Sequence, residues 1–325
     1  MTSTPSVLVA GDTLIDLVPT AAGPPSTELK YEPSFGGSAA NVAVGLARLG
    51  QPPLLWTRLA TDDFGSALKR ELIDSAIPDK YLIADSTAQT TLAVVTHDET
   101  GDRSFGFYRG AGPNTRLQRG VVSDTDLEMT TWVHTTGVTL SVEPSRSSTL
   151  ELQRRATKKT TVSLDPNWRP EMWESADTFA AVIRGALTHV DVVKATPEDF
   201  SAAGFDTSDH KRLCRRVSEY GPHTVLLTLG QRGAICYGTE NSPVSGVTTH
   251  SGYDVAVQDT TGAGDVFSAG FIAGMSNGET DPYTLLSIAN AAGAATTTQP
   301  GAVTALTGVE TIEDIHGPLP WATGE

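Results

Sequence analysis

Positive charge and cysteine are both scarce in this chain, and each shortage removes a class of function. Lysine and arginine number 23 against 38 aspartates and glutamates, a formal charge of −15 over 325 residues. That balance argues against binding the phosphate backbone of nucleic acid or an anionic membrane surface, so an anionic ligand must be met locally. Only Cys214 and Cys236 occur. Both fall in segments that read as buried secondary structure, which gives neither a disulfide framework nor the spacing of a zinc site. No apolar run is long enough to span a bilayer, and the opening MTSTPSVLVAGDTLID lacks a basic stretch followed by a long apolar one. A cytoplasmic protein is expected. Also missing are G-x-x-x-x-G-K-[ST] and a G-x-G-x-x-G after the first strand with a suitably spaced acid, which sets aside a Walker-type ATPase and a Rossmann dehydrogenase.

What the chain has is an apolar content of 39%, enough for a substantial core, and a repeating βα rhythm. SVLVAGDTLIDLV leads to FGGSAANVAVGLARLG, then LLWTRLA to DFGSALKRELIDSA, the alternation of a mostly parallel sheet. Between about Thr90 and Asn114 the pattern changes to alternating apolar and polar residues around Asp98–Asp102, a β-hairpin signal. With the segment Leu14 to Phe35, that hairpin is expected to form a small sheet standing off the main body. From Trp132 the rhythm returns, with strands at TWVHTTG, TTVSLDPN, HVDVVKAT and HTVLLTLG and helices between them. Two small-residue helices, about 264–276 and 283–298, follow. No internal repeat or linker breaks the chain, so residues 1–325 are read as one α/β domain with lid segments near 14–35 and 90–112.

Chemistry concentrates in two glycine-rich stretches. In Asp259-Thr-Thr-Gly-Ala-Gly-Asp265 the small residues Gly262, Ala263 and Gly264 let backbone N–H groups approach a ligand at the start of an apolar helix, whose positive end favours phosphate. Asp265 beside them is placed to handle a proton or a cation. The same pattern also fits a plain helix start with an aspartate cap. In the second stretch, Gly36 and Gly37 precede a helix in which Asn41 offers both donor and acceptor to a hydroxyl, as a polyol requires; a tight loop and a locally satisfied Asn41 is the alternative.

These residues resemble the two signatures of the ribokinase-like (PfkB) carbohydrate kinases, FGGSAANVAVGLARLG and DTTGAGDVFSAG, in the expected order and spread across nearly the whole chain. GDTLIDLVP, FYRGAGP, DPNWRP, VVKATPEDF and TLGQRG resemble fructokinase-type members more than ribokinase. The resemblance implies a doubly wound, mostly parallel sheet flanked by helices, with a small β-sheet lid, and an ATP- and Mg2+-dependent kinase of a free sugar, fructose first. It makes Asp265 the catalytic base and Gly262, Ala263 and Gly264 the anion hole. Asp16, Gly36, Gly37 and Asn41 would hold the sugar, and Lys194, Glu198, Thr228, Gly230, Gly233 and Asn290 would meet the nucleotide. Asp259 and Thr261 match a loop that in many relatives binds a monovalent cation, usually potassium. Arg109 and Arg169 could clamp a phosphate or a substrate carboxylate, or sit in surface ion pairs.

Departures from the family pattern also bear on function. Lys194 stands where many members have the asparagine of an Asn-x-x-Glu motif, leaving Glu198 as the matching acid, and Ser38 stands where ribokinase has lysine. The readings left open are a 2-keto-3-deoxygluconate kinase, a ribokinase or nucleoside kinase, and a non-catalytic sugar-binding protein. A homodimer that covers the lid's edge strands is compatible with all of them. The acidic composition, with arginine exceeding lysine, fits a high-salt cytoplasm as well as an ordinary acidic enzyme; retention of fold and activity in low-salt buffer excludes the first.

Overall fold

The structure, a computed structural model, describes residues 5–19, 30–97, 103–108, 112–156, 159–299, 301 and 308–321. Thirteen strands run in chain order among them. They are β1 (Val7–Ala10), β2 (Leu14–Pro19), β3 (Tyr31–Gly36), β4 (Leu54–Ala60), β5 (Leu82–Asp85), β6 (Leu92–His97) and β7 (Arg103–Tyr108). The remainder are β8 (Trp132–Thr136), β9 (Thr161–Asp165), β10 (Val192–Ala195), β11 (Thr224–Thr228), β12 (Ala234–Gly238) and β13 (Gly246–His250). The first five helices are α1 (Ser38–Arg48), α2 (Asp63–Asp74), α3 (Asp124–Met129), α4 (Ser145–Arg155) and α5 (Ala176–Leu187). The last five are α6 (Pro197–Ala202), α7 (His210–Ser218), α8 (Ala263–Ser276), α9 (Pro282–Thr296) and α10 (Val309–His316).

Nine strands form one sheet in the order β13-β12-β11-β10-β9-β8-β1-β4-β5. Every neighbouring pair from β11 to β5 is parallel, and the β12–β13 hairpin adds an antiparallel edge. The central strands β1 and β8 are buried along their whole length and β4 is buried except at Arg58, as strands covered by helices on both faces are. Strand order reverses at β1, which has β4 on one side and β8 on the other. The carboxyl ends of strands at such a switch point open into a crevice where open α/β sheets bind ligands. The helices α8 and α9 are small or apolar on almost every face and are buried nearly throughout. That burial fixes the amino end of α8 at the crevice. Cys214 on α7 and Cys236 on β12 are buried free thiols, both pushed up to about 12 by burial.

The second sheet has the order β3-β2-β6-β7. Its register sets Asp16 beside Ala93 and Ala93 beside Phe107, so the three side chains share the face turned toward the crevice. The turn of the expected hairpin, Asp98–Asp102, and Arg109 lie outside the described residues. Asp62 pins this sheet to the larger one: its carboxylate caps α2 at Gly65 N and also accepts Thr90 N at 2.8 Å and Thr90 Oγ1 at 2.6 Å. Among the described residues no helix is long and apolar enough to cross a membrane.

Beneath the crevice, Phe179 of α5 is completely buried between Trp168 and Trp173, with ring centroids 4.4 and 5.0 Å away. The loop between those tryptophans carries Arg169 and Met172. Replacing Phe179 by alanine removes the shared support, and denaturant unfolding should register a loss of about 3–5 kcal/mol.

Candidate active site

Two cavities meet at the amino end of α8. The smaller, about 70 Å³, is lined by Asp12, Asp16, Gly37, Ser38, Asn41, Asn167, Arg169, Thr261, Gly262 and Asp265, with Phe107, Val138 and Met172 as its apolar wall. The larger, about 290 Å³, is lined by Lys194, Thr196, Thr228, Gly230, Gly233, Ala263, Gly264 and Asn290, and by the apolar side chains of Tyr253, Val255, Val257 and Phe267. Asp265 thus faces one cavity and Ala263 and Gly264 the other. Ala263 N bonds Thr260 O at 3.3 Å, while the amides of Gly264 and Asp265, in the first turn of the helix, have no preceding helical turn to bond.

The local chain explains how this wall is built. Gly262 is the N-cap of α8 in the left-handed region, φ 73°, a conformation that costs glycine nothing. A Cβ on Gly264 would come within 2.6 Å of Lys194 Nζ, so the missing side chain is what lets the ammonium group lie against the helix start. Lys194, inside buried strand β10, bonds Asp165 Oδ2 at 2.8 Å. Burial opposes its charge, but Asp165, and more weakly Asp265 and Asp199, outweigh burial and raise its pKa. Asp265 receives the Ser38 hydroxyl on Oδ1 at 2.6 Å and Asn41 Nδ2 on Oδ2 at 2.9 Å. Burial, and then Asp165, push it up to about 6 against the pull of Lys194 and those two donors.

On the other wall, the amino end of α1 is occupied by a residue the sequence reading passed over. Asp12 accepts Ser38 N at 3.1 Å, Ala39 N at 3.4 Å and Thr136 Oγ1 at 3.2 Å; its pKa is nevertheless raised by burial. Asp16 comes in from β2, and a Cβ on Gly36 would sit 2.2 Å from its Oδ2, so Gly36 leaves room for the carboxylate. Burial, then Asp12, Asp265 and Asp259, raise Asp16 to about 7, with Arg169 opposing. Asn41 Oδ1 is buried without a hydrogen-bond partner, an acceptor on a residue that lines the smaller cavity.

Two expected residues behave differently. Glu198 is exposed on the first turn of α6 and lines neither cavity. Its neighbour Asp199 is the buried acid, spent on a capping box with Thr196 and on Trp168 N. Asp259 is buried with Oδ1 on Thr261 N at 2.7 Å and Oδ2 on Gly301 N at 3.0 Å, and it too lines neither cavity, whereas Thr261 lines the smaller one. Among the described residues no group of three His, Cys, Asp or Glu is arranged to hold a metal ion.

The raised carboxylates set a direction for stability. An aspartate whose pKa is higher folded than unfolded favours the fold when protonated, so its contribution is full at pH below about 4 and lost as pH rises toward 7. Asp16→Asn should therefore raise the melting temperature of the ligand-free protein at pH 8 and change it little at pH 4, as differential scanning fluorimetry can check.

Comparison with known proteins identifies the family and the fold. The pattern of the pfkB family carbohydrate kinases matches residues 4–307. The chain is 32% identical over 310 residues to a fructokinase of Escherichia coli, covering 92% of this chain and 95% of that one. A fructokinase of Xylella fastidiosa with bound ATP superposes with a TM-score of 0.85 at 26% identity, covering 96% and 98% of the two chains. A fructokinase of Vibrio cholerae O395 in a fructose, ADP and calcium ion bound form superposes with a TM-score of 0.81 at 29% identity, covering 97% and 100%. Over nearly its whole length, then, the chain belongs to the pfkB family of carbohydrate kinases.

Proposed function

We propose that this protein is an ATP-dependent kinase that transfers the γ-phosphoryl group to a primary hydroxyl of fructose. The observation that carries the reading is the shared wall: a buried carboxylate faces a small polar cavity, and the helix start it belongs to faces a larger cavity with apolar sides. A sugar suits the first and a nucleotide the second. The fructokinase names of the relatives, and the fructose and ADP held by the Vibrio cholerae enzyme, support the same pair of ligands.

In this reading Asp16 and Asn41 orient the sugar, with Asp12 behind them and Arg169 at the edge. Asp265, largely ionised at neutral pH, takes the hydroxyl proton as the oxygen bonds to the γ-phosphorus, and the bond from that phosphorus to the bridging oxygen of ADP breaks. The amides of Gly264 and Asp265 and the ammonium of Lys194 meet the charge on the moving phosphoryl group. Magnesium, held mainly by nucleotide oxygens and water, would find a protein carboxylate in exposed Glu198, close in sequence to cavity-lining Thr196, and would neutralise phosphate charge. Thr261 belongs to the loop that would take a potassium ion, which Asp259 braces through two backbone amides.

We also read the chain as one working unit in the cytoplasm, with the four-stranded sheet closing over the sugar to exclude water. A second copy would cover edge strands β3 and β7 of that sheet. The decisive experiment is a coupled ADP-release assay with fructose, ribose, glucose, 2-keto-3-deoxygluconate and adenosine, with and without potassium. Fructose should turn over fastest, and Asp265→Asn should lower kcat by about 10²–10⁴-fold. Preference for the keto-acid would instead make Arg169 a carboxylate clamp, and an unaffected Asp265→Asn enzyme would overturn the mechanism.

A further inference from the structure

Ser38 and Asn167 belong to no ligand contact assigned above, yet they form a chain that ends on Asp265. Asn167 Nδ2 donates to Ser38 Oγ at 3.0 Å, and Ser38 Oγ donates to Asp265 Oδ1 at 2.6 Å. A serine hydroxyl has one hydrogen. With the amide of Asn167 filling its acceptor side, that hydrogen is steered onto the carboxylate.

The placement of Asn167 is itself constrained. It holds φ 44°, an uncommon conformation for a residue other than glycine. The loop is pinned there from both sides, by Asn167 N on Asp165 Oδ1 at 3.0 Å and by Trp168 N on Asp199 Oδ1 at 2.7 Å. The other oxygen of Asp165 holds Lys194. Strands β9 and β10 and helices α1 and α6 are thereby tied to one oxygen of Asp265.

We propose that Ser38 and Asn167 are positioning residues: a two-step hydrogen-bond relay that orients Asp265 and keeps it ionised, so that its free lone pairs await the substrate hydroxyl. The inference rests on the role given to Asp265 under the kinase reading. Without the relay, a carboxylate facing Asp165 from β9 and Asp16 from β2, with Asp12 and Arg169 on the same cavity wall, would keep Lys194 from β10 as the opposing cation and Asn41 from α1 as a donor, and would take up a proton more readily.

Two variants test this with little risk to the fold. Ser38→Ala removes the hydroxyl but keeps the Ser38 N bond to Asp12, and Asn167→Gly keeps the backbone bond to Asp165 while suiting the left-handed conformation. Carbon-13 NMR titration of the Asp265 carboxyl, assigned by its loss in Asp265→Asn, reads the group without any turnover. In each variant it should titrate higher by about one pH unit, since a hydrogen bond to a charged group is commonly worth that much or more. The acidic limb of kcat should move with it. With Asp265 starting at about 6, kcat should fall only about twofold at pH 7 but nearly tenfold at about pH 5, while KM for fructose stays within about twofold. The double variant should match Ser38→Ala alone, because both changes cut one path. An Asp265 titration unchanged in both single variants, or effects that simply add, overturns the relay. A wild-type protein that phosphorylates no sugar overturns the kinase reading instead, and the titration still decides the relay.

Discussion

Four aspartates, Asp12, Asp16, Asp165 and Asp265, are buried in one crevice, and the cost of removing their charge from water governs how the surrounding chain is arranged. A buried carboxylate is tolerated only where donors or a cation replace its hydration. Asp12 finds two helix-start amides and a threonine, Asp165 finds Lys194 and the Asn167 amide, and Asp265 finds Ser38 and Asn41. The compensation is incomplete at Asp12, Asp16 and Asp265, whose pKa values stay raised. Incomplete compensation leaves these groups with capacity for a further donor.

The same crevice brings polar residues from distant parts of the chain together. Strand order reverses at β1, so the ends of β1, β8, β9 and β10 all deliver polar residues to one place. The buried small-residue face of α8 holds its amino end against them. One helix start can then serve two cavities, because its side chain at position 265 turns to one and its smallest residues, 263 and 264, lie open to the other.

Much of this was legible in the sequence, and what escaped has physical reasons. Gly36, Gly37 and the run from Gly262 to Asp265 announce themselves, because small residues ahead of an apolar helix have few other uses. The βα rhythm gave the parallel strands, and the alternating hairpin gave the small sheet. The β12–β13 hairpin and the four-residue β5 were missed, being short and flanked by loop residues that carry no period. Asp12 was hidden because its partners, Thr136 and the start of α1, are distant in the chain. Tyr253, Val255 and Val257 lie on an irregular segment where side-chain direction cannot be read from spacing. At Glu198 and Asp199 neighbouring acids are indistinguishable in sequence, and only the fold assigns the buried one to Thr196 and Trp168.

The two thiols have a practical consequence. Cys214 and Cys236 are enclosed, and burial holds them protonated far above neutral pH, so the thiolate that alkylating and oxidising reagents need is scarcely formed. The chain is in effect blank to maleimide chemistry. A single cysteine introduced on the outer face of the four-stranded sheet would carry a fluorophore without competition, turning the closure proposed for that sheet into an optical signal.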